Sequence, residues 1–363
     1  MGIFSNDFEE KSFDEVLRLR DEIGKIQEAI ADFDVGKRLN VAIIAGPLSG
    51  KTTLINEIKK LNFTRATKIT FSGIIRDKKE ISLPEDTKRV VLIDNCQFLY
   101  MRKTGGFDIL YEFLGMVSSQ SRMYVTTWNL YSWKYLNEAF GIGKYFPVQV
   151  FIPALEREDL ETLILKRYRE GEIIFDNDGG SKKEPLVYVS EYPLDLALMG
   201  RKVVVPVPKI NIPYLKRRLH IEKEKYERKA GKAGNEERKE ETVEYRLFEK
   251  IHTESKGNPG VALRIWELGL DYPHIAPKNI GQSSYNIKLE YDETFVLGLI
   301  LSYQRLKKSE IADMMGSILR VNETSFQLLN QELIFEGEDN SLSIRPEALC
   351  SVIAYLKKLR LVW

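Results

Sequence analysis

The chain is poor in the residues that build metal centres and disulfide frameworks. Its 363 residues include two cysteines, Cys96 and Cys350, and three histidines, His220, His252 and His274. Cysteines this few and this far apart exclude a disulfide scaffold, and the scattered histidines supply no metal-ligand spacing. Excess charge of one sign is also missing. With 54 basic against 53 acidic residues, no global field recruits nucleic acid, and any basic patch must be local. No apolar run approaches the roughly 20 residues of a membrane span, and no cleavable signal segment is visible. A reducing cytoplasm is the expected compartment. What the chain does have is apolar content of 43%, enough at this length for two or three cored domains.

Residues 41 to 54 carry the strongest signal: an apolar strand, Val-Ala-Ile-Ile-Ala, runs into Gly-Pro-Leu-Ser-Gly and then Lys-Thr-Thr-Leu opening a helix. This is a phosphate-binding loop. Successive backbone N–H groups in such a turn point at one anion, and the helix N-terminus adds partial positive charge. Lys51 is placed to reach the β and γ phosphates and Thr52 to ligate Mg²⁺. Ala45, Gly46, Pro47, Leu48, Ser49, Gly50, Lys51, Thr52 and Thr53 are the expected nucleotide-binding residues. The pattern G-x-x-x-x-G-K-[ST] puts Ala45, not Gly46, at its first position. Either Ala45 takes the place of that glycine with a negative φ, or Gly46-Pro47 marks a loop one residue short.

A second constellation follows. Arg89-Val-Val-Leu-Ile-Asp94 is a buried strand with an acid at its carboxyl end, where open parallel sheets bind ligands. Asp94 is expected to hold Mg²⁺ through water in the Walker B manner. The next residue is Asn95, where ATPases with such a strand usually place a glutamate; an amide orients a water but takes no proton from it, so either hydrolysis is slow or another residue supplies the base. A further strand, Met123 to Asn129, offers Thr127 first and Asn129 second as contacts to the γ phosphate. No Asn/Thr-Lys-x-Asp motif for reading guanine occurs, and ATP is expected over GTP.

These segments resemble AAA+/STAND-type P-loop ATPases, a group with relatives among replication initiators and signalling switches. So do the Arg20-Asp-Glu-Ile helix, Phe146-Pro-Val leading to Pro153-Ala-Leu, and Ser255-Lys-Gly-Asn-Pro-Gly-Val-Ala-Leu-Arg264. The resemblance spans roughly residues 15 to 170 and 243 to 363. It implies an α/β fold: a P-loop NTPase (ASCE/AAA+-like) parallel sheet, a helical lid and a C-terminal winged-helix domain. Gly260 stands where initiators often place a sensor 2 arginine, and Arg264, one turn later, is a possible substitute. Arg102 and Arg122 are candidates for reaching a neighbour's nucleotide, since such relatives often build the site between subunits.

The chain is expected to divide into an ATPase core (1–170), an insertion and charged linker (171–242), a helical lid (243–285) and a winged-helix domain (286–363). Within the insertion, Arg201 to Pro208 is too broken by proline for a central strand. Residues 216 to 241 mix acids with bases and read as a solvated face more than a basic arm. The last domain reads as helices at 294–303, 308–315, 322–333 and 346–359, with a hairpin around Glu338-Asp-Asn-Ser341. Its third helix, 322–333, carries no Lys or Arg, and the wing tip is acidic. Eight bases against eleven acids from residue 290 onward disfavour a DNA reader, since phosphate neutralisation dominates such affinity. The reading is an ATP·Mg²⁺-responsive switch with a protein partner or self-assembly; the alternative is a DNA-binding initiator- or transposition-type ATPase. A nucleotide kinase is disfavoured, because no arginine-rich lid follows the core.

Overall fold

Five short runs form one parallel sheet in the computed structural model: β1 (Val41–Ala45), β2 (Ala66–Thr70), β3 (Val90–Asp94), β4 (Met123–Asn129) and β5 (Val148–Phe151), in the order β2-β3-β4-β1-β5. The structure describes residues 19–37, 39–83, 87–119, 121–177, 187–196, 201–210, 242–281 and 285–362. The charged stretches around Lys216-Arg217-Arg218 and Lys223-Glu224-Lys225, and the glycine break at 231–235, lie outside the described residues.

The strands β1, β3 and β4 are buried at every position, which is why they read as continuous apolar runs. The edge strand β2 is only partly covered, and its Ala-Thr-Lys-Ile-Thr sequence gives no such signal. Helices cover both faces: α1 (Arg20–Asp34), α2 (Lys51–Leu61), α3 (Asp108–Ser118), α4 (Leu130–Phe140) and α5 (Arg157–Leu165). In α1 the buried residues Ile23, Ile26, Ile30 and Phe33 recur at helical spacing and form a single inward stripe. This is the α/β architecture expected of a phosphate-loop ATPase core.

Beyond the core come α6 (Val243–Ser255) and α7 (Pro259–Gly269). Asn258 caps α7 by accepting from the Val261 N–H at 3.1 Å, and Pro259 stands at the first turn, where it gives up no hydrogen bond. A two-residue strand, β6 (Ile174–Phe175), pairs in parallel with β9 (His274–Ile275), so part of segment 171–242 folds against this helical pair. Between them β7 (Val187–Leu196) and β8 (Arg201–Ile210) form an antiparallel ribbon. Arg201 to Pro208 is therefore a strand after all, but an edge one. Its prolines fall on the pairs Pro206↔Glu191 and Pro208↔Val189, and Pro193 on Val204; these share one class of the alternating ladder, so all three can turn their missing N–H outward.

The last module comprises α8 (Tyr291–Tyr303), β10 (Arg305–Lys307), α9 (Lys308–Met315), α10 (Ile318–Asn330), β11 (Ile334–Glu336), β12 (Ser341–Ile344) and α11 (Leu349–Lys358), with a three-stranded antiparallel sheet in the order β10-β12-β11. Two expectations need correction. The third helix starts at Ile318, not Asn322, because Ser317 caps it right after Gly316 closes α9. It therefore contains a base, Arg320, although that guanidinium is ion-paired with Asp292 of α8. The first helix begins at Tyr291, not Thr294, where Glu290 and Glu293 form a reciprocal cap.

The join between core and helical pair is tight at Gly257. It sits at φ +73°, its carbonyl accepts from the Leu155 N–H at 2.9 Å, and a Cβ there would lie 2.5 Å from the Leu155 carbonyl oxygen. Gly257→Ala is expected to destabilise the fold by about 2 kcal/mol or more. Gly24, in α1, has nothing within 4 Å of a Cβ, and Gly24→Ala is expected to stabilise by about 0.5–1 kcal/mol; urea unfolding of both variants checks the opposite signs.

Candidate functional site

The phosphate loop joins β1 to α2 through Gly46 to Gly50, and it has its full length. Ala45 is the last residue of β1, in extended backbone paired with Asn129, so a glycine's freedom is not needed there. The left-handed conformations fall instead at Leu48 (φ 60°) and Gly50 (φ 84°). Lys51 folds back over the loop, its ammonium donating to the carbonyls of Ala45 at 3.1 Å and Gly46 at 2.6 Å. Only 4% of Lys51 is exposed, and burial lowers its pKa to about 7, an effect that the nearby Asp94 charge partly opposes. Thr52 and Thr53 open α2 at the surface.

Asp94 ends β3 fully buried. Its Oδ1 accepts from the Thr127 hydroxyl at 2.6 Å, while Oδ2 accepts no hydrogen bond. The nearest cation to Oδ2 is the Lys68 ammonium at 3.8 Å. A buried carboxylate oxygen without a donor, at the carboxyl end of β3, is the kind of ligand a hydrated Mg²⁺ uses. Thr127 also accepts from the Asn95 backbone N–H at 2.9 Å, so one hydroxyl ties Asp94 to the residue after it. Cys96 next door is buried, which pushes its thiol well up and keeps it protonated, as packing and not chemistry.

The remaining candidates are committed elsewhere. Asn95 takes a left-handed backbone (φ 67°), donates its amide to the Phe71 carbonyl at 3.1 Å and accepts from Gln97 at 3.2 Å. Asn129 accepts from the Tyr131 N–H at 2.9 Å and donates to the Leu301 carbonyl of α8 at 2.9 Å. Ser132 joins it, donating to the Ser302 carbonyl at 2.7 Å. Core side chains thus satisfy the carbonyls that a helix end leaves open. Arg102 completes the join: its guanidinium lies 4.2 Å over the Tyr135 ring and donates to the Ser302 hydroxyl at 3.3 Å, which ties this arginine up within its own chain. Arg122 precedes β4, at the opposite end of the sheet from the loop, and lines a shallow cavity of about 270 Å³ with Phe33, Asn40 and Lys144. Arg264 is paired with Glu347 at 3.5 Å and Glu267 at 3.7 Å.

Three features at the site carry no motif in the sequence. Asn258 donates to the Pro47 carbonyl at 2.9 Å, and the Gly260 N–H donates to the Leu48 carbonyl at 3.2 Å, so α7 begins on top of the phosphate loop. At Gly260 a Cβ would lie 2.6 Å from the Leu48 Cβ; no arginine fits there in this arrangement. Lys68, the third, interrupts the pattern of β2, and its charge in a strand was the one hint available. The structure therefore brings together Lys51, Asp94 and Thr127, places Thr52 exposed in the first turn of α2, and holds Asn95, Asn129 and Arg264 in other bonds.

No protein-family model matches the chain, and no curated protein matches it. Among solved structures it is similar to the RuvB Holliday junction branch migration motor of Thermotoga maritima, with 14% identity over 96% of this chain and 97% of that one and a TM-score of 0.39. Two single-residue variants of that motor superpose with a TM-score of 0.41, at 14% and 13% identity. Among the described residues no helix is long and apolar enough to cross a membrane.

The state of Lys51 sets a proton count for anion binding. Its pKa of about 7 when free rises when a polyphosphate approaches, so between the two values binding takes up a proton and affinity falls as pH rises. At pH 8, calorimetry of ATP binding in two buffers of different ionisation enthalpy is expected to show uptake of nearly one proton, absent in Lys51→Met.

Proposed function

We propose that this chain is an ATP-binding, slowly hydrolysing switch of the AAA+/STAND-like kind, in which nucleotide state controls how firmly the C-terminal module is held. The observation that carries this reading is the bond from Asn129 to the Leu301 carbonyl. Asn129 ends the strand whose Thr127 holds Asp94, so a single residue, Trp128, separates the carboxylate's tether from the module's. A shift of β4 on nucleotide binding changes both.

The loop N–H groups and the α2 N-terminus would receive the phosphates, with Lys51 leaving its two carbonyls for phosphate oxygens. Thr52 and Asp94 would hold Mg²⁺, which neutralises phosphate charge. Asn95 supports slow turnover: its amide cannot accept a proton from water, and it is already bonded to Phe71 and Gln97. The module's element order supports a winged helix turned toward protein. Three of its eight bases are ion-paired with acids of the same module, Arg320 with Asp292, Lys308 with Glu336 and Arg345 with Glu347, and eleven acids stand against the eight, a balance that disfavours a DNA backbone. The initiator-type alternative would be supported by salt-dependent retardation of duplex DNA in the presence of ATP.

The test couples a turnover assay to mass measurement in solution with and without ATP·Mg²⁺. Tight binding, slow release of phosphate and a nucleotide-dependent mass are the expected results; a fast, strictly monomeric ATPase contradicts the switch. Lys51→Ala is expected to weaken ATP binding by about 10- to 100-fold, the worth of one charge-assisted contact. In Asn129→Ala, hydrogen exchange across residues 291–303 is expected to quicken; exchange at the wild-type rate would remove the tether from the mechanism.

A further inference from the structure

Strand β2 carries a lysine where a strand edge facing a helix would ordinarily carry an apolar or hydroxyl residue. In the parallel register Lys68 lies beside Leu92 and Thr70 beside Asp94. Residues two apart share a face, so Lys68 and Asp94 point to the same side of the sheet, toward α2. There the Lys68 ammonium donates to Asn56 Oδ1 of α2 and stands 3.8 Å from Asp94 Oδ2. The Lys68 side chain is 19% exposed and Asp94 not at all, so the pair is poorly screened by water and salt. Oδ2 is also the carboxylate oxygen that accepts no hydrogen bond. Lys51 also lies close enough for the Asp94 charge to act on it.

We infer that Lys68 is a resident cation of the nucleotide site, standing at the Asp94 oxygen that a hydrated divalent ion would use, so that ATP binds with little dependence on Mg²⁺. This rests on the nucleotide reading given above. The Lys68 ammonium offsets the Asp94 carboxylate, and Lys51 adds a second positive charge as it takes up its proton on binding, so the site favours a polyphosphate on its own. A divalent ion approaching Asp94 meets repulsion from Lys68 and competes with it for Oδ2. Asn56 helps to keep the lysine in place, since its Oδ1 accepts one of the three ammonium hydrogens.

Titration calorimetry of ATP, in excess Mg²⁺ and again in excess EDTA, reads the ratio of the two dissociation constants directly. For the wild-type protein the ratio is expected to stay within about tenfold, equivalent to about 1.4 kcal/mol. In Lys68→Met it is expected to rise by about tenfold or more, because affinity in EDTA falls while Asp94 becomes free for the metal. Lys68→Arg, which keeps the charge, is expected to stay near wild type, and thermal unfolding of each variant shows that it is folded. A wild-type ratio far above tenfold, or one that Lys68→Met leaves unchanged, overturns the role of Lys68 while leaving the nucleotide reading intact. Absence of ATP binding in both conditions overturns that reading itself, and the inference with it.

Discussion

Polar side chains buried at the carboxyl ends of β3 and β4 impose the constraint on which the rest of the structure depends. Asp94, Thr127, Asn129 and Ser132 are all without solvent exposure. A buried polar group left without a partner costs about 1–3 kcal/mol, and four such groups cannot be left to chance. Asp94 is met from β4 by Thr127; Asn129 and Ser132 are met by the open carbonyls of α8. The C-terminal module is thus the hydrogen-bonding complement of the sheet as well as a neighbour to it. Tyr100 stacked on Tyr303 at 5.0 Å fills the apolar space around those bonds, and Glu310 extends the seam by accepting from the Ile74 N–H at 3.1 Å.

What could be read from the sequence follows the same physics. Strands buried on both faces declare themselves, so β1, β3 and β4 and the acid and lysine at their ends were legible. The edge strand β2 was silent because half-covered strands keep polar residues. The start of α10 was misjudged because Ile318 and Leu319 lie exposed, so the apolar pattern fades where the cap, Ser317, takes over. Ala45 raised a question that only backbone geometry answers: the strict glycine is unnecessary when the loop's left-handed residues are Leu48 and Gly50. The roles of Asn129 and Arg102 were hidden for a different reason. Each is satisfied by a partner at least 170 residues away in the chain, and no local pattern encodes such a meeting.

Charge at the site is arranged with equal economy. Burial presses Lys51 toward neutrality while Asp94 opposes it, and Lys68 in turn leans on the oxygen of Asp94 that nothing else contacts. The three groups form a small electrostatic balance in which an incoming polyphosphate weighs on every member. Helix α7 is on the same balance physically, because Asn258 and Gly260 hold the carbonyls of Pro47 and Leu48.

Gly260 has a consequence for how chains of this kind diverge. With its absent Cβ only 2.6 Å from that of Leu48, positions 48 and 260 cannot drift independently: a bulkier residue at 260 survives only beside a smaller residue at 48 or with the helix lifted off the loop. A descendant that acquired an arginine at 260 would have had to abandon this loop shape first. The glycine therefore keeps the start of α7 resting on the loop backbone, an approach that a side chain at 260 would open.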